Sequence, residues 1–256
     1  MLNLLNIQKK RIRGILFDKD GTLIDFNSIW IPLAFELTNK LFFKYQILPK
    51  QKTVLLDRIG VSPDGNMVSG SIYASGTEDD LAKALYQSGK EMGICLPDYN
   101  FFLKCIQSEV KTYMQAHRSQ IRPVPHAGRT LAALKNMGLT LGISTSDNEE
   151  NTRICLEETG LLKYFQYIGC PGDSKSPKPS GDILLDFSAK FGIKPEEVAV
   201  VGDTSVDIAF AKQNHAGLAI GVLSGTGSRE DFKESADYVF SSIAGLLDNH
   251  LPIWEV

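Results

Sequence analysis

Residues 14–25 read GILFDKDGTLID, and the rest of the chain is organised around them. Residues 15–17 form a short apolar run that favours a β-strand, and the run ends at two carboxylates, Asp18 and Asp20. In open α/β sheets the chemistry lies where strands end, at the carboxyl edge. Asp and Gly after a strand are also ordinary turn formers, so a functional interpretation needs matching groups elsewhere in the chain.

The rest of the chain predicts an α/β core with a helical insertion. Strand-like apolar runs, separated by helical patterns, occur near residues 139–143, 167–168, 198–201, 217–222 and 238–240. Strands that alternate with helices predict a doubly wound parallel sheet, Rossmann-like in form, with right-handed crossovers. From residue 27 to 117 helical patterns recur without clear strands. We therefore expect a catalytic core from residues 1–25 and 122–256, and a helical cap domain from residues 26–121.

The charge balance gives no reason to expect a nucleic-acid or membrane partner. The 256 residues include 27 basic and 30 acidic ones, a net charge of −3, which provides no global attraction to nucleic acid or anionic lipid. No apolar run approaches the ~18 residues that a membrane span needs. One basic cluster precedes the first strand, and we interpret it as a solvated leader: Lys9, Lys10, Arg11 and Arg13.

The cysteines indicate a reducing compartment. The four cysteines, at positions 95, 105, 155 and 170, lack C-x-x-C or zinc-like spacing, and three lie in apolar contexts that predict buried thiols. This usage favours a cytoplasmic protein over a disulfide-linked secreted one. The N-terminus places its apolar residues before its charges, the reverse of a secretory signal. A monomer and a homodimer are both compatible with the sequence.

Three predicted strands end in small polar or acidic side chains: Asp18 with Asp20, Thr145, and Asp203 with Asp207. If these strands are neighbours in one parallel sheet, the side chains converge at a single edge. Carboxylates brought together repel one another unless a cation lies between them. Hard oxygen ligands with open positions favour Mg²⁺, which also bridges phosphate oxygens. The sequence therefore predicts a magnesium site at this edge.

One lysine completes the predicted site. Lys178 lies on a loop between Pro177 and Pro179, and stiff neighbours suggest that its side chain is held in place. Together these groups predict a phosphoryl-transfer site. In such a site a carboxylate attacks phosphorus, the metal and the lysine neutralise the phosphoryl oxygens, and a hydroxyl with backbone N–H groups orients them.

These segments form four ordered motifs: FDKDGTL at 17–23, GISTS at 142–146, KPSG at 178–181 and VVGDTSVD at 200–207. In this order and spacing the chain resembles the haloacid dehalogenase-like hydrolases, in their phosphatase branch, and most closely proteins of phosphoglycolate phosphatase type. The resemblance implies that Asp18 is the nucleophile that becomes an aspartyl-phosphate. It also implies that Asp20 protonates the leaving alkoxide and then deprotonates the attacking water.

The same resemblance implies roles for the later motifs. Thr145 would hydrogen-bond the transferring phosphoryl group and Lys178 would counter its charge. Ser146 stands where many relatives have Asn, and we include it as a substrate-binding candidate. The metal ligands implied are the carboxylates of Asp18 and Asp203, the backbone carbonyl of Asp20, and Asp207 either directly or through water.

Some assignments remain open between neighbouring residues. Lys175 is an alternative to Lys178, which we prefer because K-P-x-G-D-I-L matches the family pattern. Ser144 is an alternative to Thr145, which alignment on G-I-x-T favours. The residues after Asp203, at 204–205, are as well explained by helix capping as by a role in the site.

Asp20, the second acid of the first motif, distinguishes between the possible reaction classes. A phosphoaspartyl protein without a general acid/base at position 20 would keep its phosphate longer, whereas Asp20 favours hydrolysis of a small phosphomonoester such as 2-phosphoglycolate. The alternatives are a phosphoglucomutase-like or phosphonate-cleaving relative, or a phospho-acceptor regulatory domain.

The inserted helical region is interpreted as a lid that excludes water from the site. Within it, residues 68–71 are a hypothetical substrate-facing loop, and Arg58 is a hypothetical partner for a substrate carboxylate. We expect the following aromatic residues in the core of this region: Trp30, Phe35, Phe42 and Phe43.

Overall fold

The computed structural model describes residues 11–172, 175–233, 235–247 and 254–255. The chain divides into two compact units. One comprises the described parts of Met1–Asp25 and Ile121–Val256, and the other is Phe26–Gln120. None of the described helices combines the length and apolar character that crossing a membrane would require.

The unit Phe26–Gln120 is helical. Its helices are α1 (Phe26–Tyr45), α2 (Pro49–Ile59), α3 (Ile72–Ser75), α4 (Glu78–Glu91) and α5 (Tyr99–His117). Thr77 is the N-cap residue of helix α4, and its hydroxyl accepts a hydrogen bond from Asp80 N at 3.2 Å. Helix α3 was not predicted, because its four residues follow a Ser- and Gly-rich segment and are too few to show a helical period.

The expected burial of the aromatic residues on α1 is wrong. Phe43 is 77% exposed, and Trp30, Phe35 and Phe42 are only half-buried. The buried stripe repeats every four residues, which places its members on one face of a helix with 3.6 residues per turn: Ile29, Leu33, Leu37 and Leu41. Phe43 follows Leu41 by two residues and therefore points to the opposite side.

The other unit is built on one sheet. Its strands are β1 (Gly14–Phe17), β2 (Thr140–Ser144), β3 (Tyr167–Gly169), β4 (Val198–Gly202), β5 (Leu218–Val222), β6 (Tyr238–Phe240) and β7 (Trp254–Glu255). In the described residues their order is β3-β2-β1-β4-β5-β6-β7. The first six are parallel, which confirms the predicted α/β fold, whereas β7 pairs antiparallel with β6. Two residues are too short a run to predict β7 from sequence.

Helices connect these strands. They are α6 (Ala127–Asn136), α7 (Glu149–Glu158), α8 (Asp182–Phe191), α9 (Ser205–Gln213) and α10 (Arg229–Phe232). Strands β1 and β4 are completely buried, which explains their continuous apolar sequences. The cysteine prediction is largely wrong: Cys155 is buried, but Cys95 is exposed and Cys105 and Cys170 are intermediate. In the basic cluster, Lys9 and Lys10 lie outside the described residues.

The strand register aligns the ends of β1, β2 and β4. Phe17 at the end of β1 pairs with Ile143 of β2 on one side and with Val201 of β4 on the other. The backbone N–H of Asp18 continues this register by donating to the carbonyl of Val201 at 2.8 Å. Residues that follow these three strands therefore emerge together at the carboxyl edge of the sheet.

Candidate active site

Three carboxylates meet at this edge. Asp18 follows β1, Asp203 follows β4, and Asp207 lies in the first turn of α9. Each offers an oxygen, and these oxygens all lie within 4.8 Å of one another. The three residues are 8%, 1% and 1% exposed, respectively. We call Asp18, Asp203 and Asp207 the acidic cluster.

Lys178 bridges two members of the acidic cluster. Its ammonium nitrogen lies 2.7 Å from Oδ1 of Asp18 and 2.5 Å from Oδ1 of Asp207, and its side chain is 4% exposed. The alternative, Lys175, instead pairs with Asp186 at 2.7 Å. Of the two lysines considered from the sequence, the structure thus brings Lys178 to the strand edge. One ammonium balances only part of the charge that three carboxylates carry.

The orientation of Asp207 follows from helix capping. Its Oδ2 accepts hydrogen bonds from Thr204 N at 3.0 Å and from the Thr204 hydroxyl at 2.7 Å, so Thr204 and Asp207 form a capping pair at the start of α9. This leaves Oδ1 of Asp207 directed at Lys178. Thr204 is therefore the N-cap residue of α9, and its N–H and hydroxyl orient a carboxylate of the cluster.

Burial controls the electrostatics of the acidic cluster. Burial raises the pKa of the Asp18 carboxyl to about 7, although Lys178 lowers it, and the charges of Asp207 and Asp20 raise it further. Burial also raises the pKa of Asp203 well above its ordinary value, and Asp18 and Asp207 add to this effect. For Lys178 burial lowers the pKa, but Asp18 and Asp207 outweigh it and the pKa is raised. The cluster therefore holds more negative charge than it can stabilise alone.

This donor set fits a hard divalent cation. Magnesium is bound in proteins through one or two carboxylates with other positions left to water and phosphate. The acidic cluster supplies carboxylate oxygens at close range, and a bound cation would offset the burial and the repulsion that raise the pKa of Asp18 and Asp203. The residues present are therefore suited to Mg²⁺.

Asp20 forms an ion pair with a buried lysine of its own motif. Its Oδ2 is 2.9 Å from the ammonium nitrogen of Lys19, and its side chain is 14% exposed. Lys19 is completely buried and also lies 2.6 Å from Oδ2 of Asp147. Sequence reasoning missed Lys19 and Asp147. The available signal was a charged residue between two aspartates, directly after a strand that is otherwise apolar.

The second motif forms the turn after β2. Thr145 is 2% exposed, its N–H donates to the carbonyl of Gly169 at 3.1 Å, and its hydroxyl oxygen accepts from Asp147 N at 3.1 Å. Ser144 is buried within the strand, and its hydroxyl has no hydrogen-bond partner among the described residues. Ser146 is half-buried in the turn. Because the Thr145 hydroxyl oxygen accepts the bond from Asp147, the hydroxyl proton is available for donation to another group.

The residues singled out in the helical unit have contacts of their own. Arg58 forms an ion pair with Glu91 in that unit. In the 68–71 loop, Val68 is 61% exposed and Gly70 has a φ of +66°, a left-handed conformation that favours glycine.

Comparison with known proteins identifies the family. The family model for haloacid dehalogenase-like hydrolases matches residues 12–215, so the chain belongs to this family and is a hydrolase of its phosphatase branch. It is 28% identical over 238 residues to a phosphoglycolate phosphatase of Shigella dysenteriae serotype 1 (strain Sd197), covering 92% of this chain and 91% of that one.

Solved structures share the fold. A predicted phosphoglycolate phosphatase from Haemophilus somnus 129PT superimposes with a TM-score of 0.70 at 20% identity, covering 93% of this chain and 97% of that one. A β-phosphoglucomutase from Clostridium difficile superimposes with a TM-score of 0.63 at 19% identity, covering 93% and 94%. These matches confirm the fold, which phosphatases and mutases share.

Proposed function

We propose that the protein is a Mg²⁺-dependent phosphatase that hydrolyses a small phosphomonoester, such as 2-phosphoglycolate, through an aspartyl-phosphate on Asp18. The observation that carries the proposal is the contact of Lys178 with Asp18 inside the acidic cluster. Phosphoryl transfer through an aspartyl-phosphate requires a carboxylate nucleophile, a fixed ammonium group and negatively charged ligands that can bind a cation.

The acidic cluster would hold the metal. Asp18 and Asp203 would bind through their carboxylates, Asp20 through its backbone carbonyl, and Asp207 directly or through water. When bound, Mg²⁺ would neutralise charge on the phosphate oxygens. Lys178, which lies beside Asp207, would also neutralise charge on the phosphate oxygens. The Thr145 hydroxyl and Ser146 would orient the phosphoryl group.

The chain's own carboxylates would carry the two chemical steps. Asp18 attacks phosphorus, and the bond from phosphorus to the leaving oxygen breaks as Asp20 gives that oxygen a proton. Water then attacks the phosphorus of the aspartyl-phosphate while Asp20 takes the water's proton, which frees phosphate and restores Asp18. Asp20 acts as acid in the first step and as base in the second.

The finer assignments rest on relatives and on composition. 2-Phosphoglycolate is suggested by the name of the Shigella relative. Within the helical unit, which we interpret as a cap, Arg58 and residues 68–71 remain proposals for substrate contact. Unpaired cysteines fit a cytoplasmic location. The balanced charge fits a small metabolite as the partner rather than nucleic acid or membrane. The protein would act as a monomer or a homodimer.

A panel of phosphorylated metabolites tests this function. We expect steady phosphate release from 2-phosphoglycolate or a similarly small ester, dependent on Mg²⁺ and lost in Asp18→Asn. Isomerisation of β-glucose 1-phosphate without phosphate release would indicate a mutase. A single stoichiometric phosphorylation without turnover would indicate a regulatory domain. Either result would overturn the proposal.

A further inference from the structure

A buried lysine lies directly between the two aspartates of the first motif. Lys19 has no exposed surface, and its ammonium nitrogen contacts Oδ2 of Asp20 at 2.9 Å and Oδ2 of Asp147 at 2.6 Å. It also lies 3.8 Å from Sγ of Cys155. One cation is therefore shared between the carboxylate assigned to proton transfer and a second carboxylate that the reaction does not use.

Asp147 is itself held from several directions. Its Oδ1 accepts hydrogen bonds from Asn148 N at 2.8 Å and from the Asn151 side chain at 3.1 Å. Its own N–H donates to the Thr145 hydroxyl oxygen. These bonds tie Asp147 to the start of α7 and to the turn that carries Thr145. Through Asp147, Lys19 is thus anchored to the start of α7 and to the turn after β2.

Stability alone is a poor explanation for this arrangement. Burying charged groups carries a desolvation penalty that their attraction often does not exceed, and replacing a buried ion pair by apolar residues is often neutral or stabilising. Ile15, Leu16 and Phe17 of the preceding strand are completely buried apolar residues, so this region accommodates apolar side chains. A lysine here has a consequence that an apolar residue would lack, namely a fixed charged partner for Asp20.

We propose that Lys19 is a positioning residue, which, anchored by Asp147, holds the Asp20 carboxylate where the leaving oxygen receives its proton. This proposal rests on the proposed function. General acid–base catalysis depends on the placement of the acid, and small misplacements of reacting groups reduce rates strongly. Through Asp147, the same ion pair joins the orientation of Asp20 to that of Thr145.

The leaving group provides the test. Release of an alkoxide, as from 2-phosphoglycolate, needs a proton, whereas p-nitrophenolate leaves without one. We expect Lys19→Met to slow single-turnover release of glycolate by about 10- to 100-fold and to leave release of p-nitrophenolate within about threefold of the wild-type rate. Loss of fold integrity would slow both substrates together, so the ratio of the two rates separates positioning from general damage.

A second variant covers the case in which Lys19→Met does not fold because Asp147 is left buried without its partner. The double variant Lys19→Met with Asp147→Leu replaces the pair by apolar groups, and we expect it to fold and to show the same change in ratio. Cys155→Ala removes the contact of Lys19 with Sγ of Cys155 and is the matched control, with a wild-type ratio.

The outcomes are distinct. If the folded single or double variant releases glycolate and p-nitrophenolate in the wild-type ratio, the positioning role is overturned. Loss of folding in both variants would also overturn it, because the ion pair of Lys19 with Asp147 would then be needed for the fold. Absence of phosphate release by the wild-type protein from both substrates would overturn the proposed function itself, before any variant is compared.

Discussion

Gly225 leaves open the space that the carboxylate of Asp203 occupies. A Cβ atom on Gly225 would lie 2.0 Å from Oδ2 of Asp203, far inside contact distance. The next residue, Thr226, donates its N–H to the same oxygen at 2.8 Å. The loop after β5 therefore fixes one member of the acidic cluster by close backbone approach, which a side chain at 225 would prevent.

Replacing Gly225 by Ala should weaken metal binding. The added methyl group would displace the Asp203 carboxylate, and we expect Mg²⁺ affinity to fall at least about 10-fold, as for disturbance of groups that orient metal ligands. Titration calorimetry would measure this. Gly172→Ala is the matched control, because a Cβ there meets no atom of the described residues within 4 Å. Equal Mg²⁺ affinity in both variants would contradict a metal-binding role for Asp203.

Removing the charge of Lys178 should impair catalysis far more than removing that of Lys175. Lys178 contacts Asp18 and Asp207, whereas Lys175 contacts Asp186. We expect Lys178→Met to lower kcat/KM by about 10²- to 10³-fold, because one charged donor to the transition state is lost. Lys175→Met should stay near the wild-type value in the same steady-state assay. A comparable loss in both variants would refute the assignment.

Asp20→Asn should lower turnover without removing the nucleophile. An amide cannot deliver or accept the proton, so we expect kcat to fall by about 10²- to 10⁴-fold. Steady-state phosphate release measures the effect. A variant that hydrolyses a phosphomonoester at the wild-type rate would show that Asp20 has another role.

The metal-free protein should lose stability as the pH rises. Burial raises the pKa of Asp18 from 3.8 to about 7, so between these values the folded protein keeps a proton that the unfolded chain has released. The free energy of unfolding contributed by this group therefore falls across that range. Urea unfolding in chelator at about pH 5 and about pH 8 should show this decline, more in the wild type than in Asp18→Asn.

Added Mg²⁺ should restore much of this stability at the higher pH, since it binds the ionised carboxylates of the folded state. If the metal-free wild-type protein instead gained stability between about pH 5 and about pH 8, compared with Asp18→Asn, the direction of the Asp18 pKa shift would be contradicted.

The grouping of acidic residues at the sheet edge was predictable, because the apolar sequences of β1 and β4 are each followed closely by an aspartate. The apolar run of β1 ends at Asp18 and that of β4 ends shortly before Asp203, and a parallel sheet aligns such ends without any knowledge of tertiary contacts. Lys178 was predictable only by its flanking pattern. The structure places its ammonium against Asp18, 160 positions away in the chain.

Other features depend on contacts that one sequence does not reveal. The ion pair of Lys19 with Asp147 joins residues 128 positions apart, and the local signal at Lys19, a charged residue directly after an apolar strand, does not reveal its partner. The exposure of Phe43 depends on which face of α1 packs inward, and Phe43 was misassigned because aromatic residues are usually buried.

Trapping of phosphorylated protein would show directly whether Asp18 is the nucleophile. Wild type and Asp20→Asn would be mixed with substrate and Mg²⁺, quenched rapidly in acid, and digested for mass spectrometry. We expect one phosphoryl group on Asp18, transient in the wild type and accumulating in Asp20→Asn when the leaving group needs no proton. Phosphate release by the wild type with no phosphorylated Asp18 in either protein, or with the phosphoryl group on another residue, would contradict it.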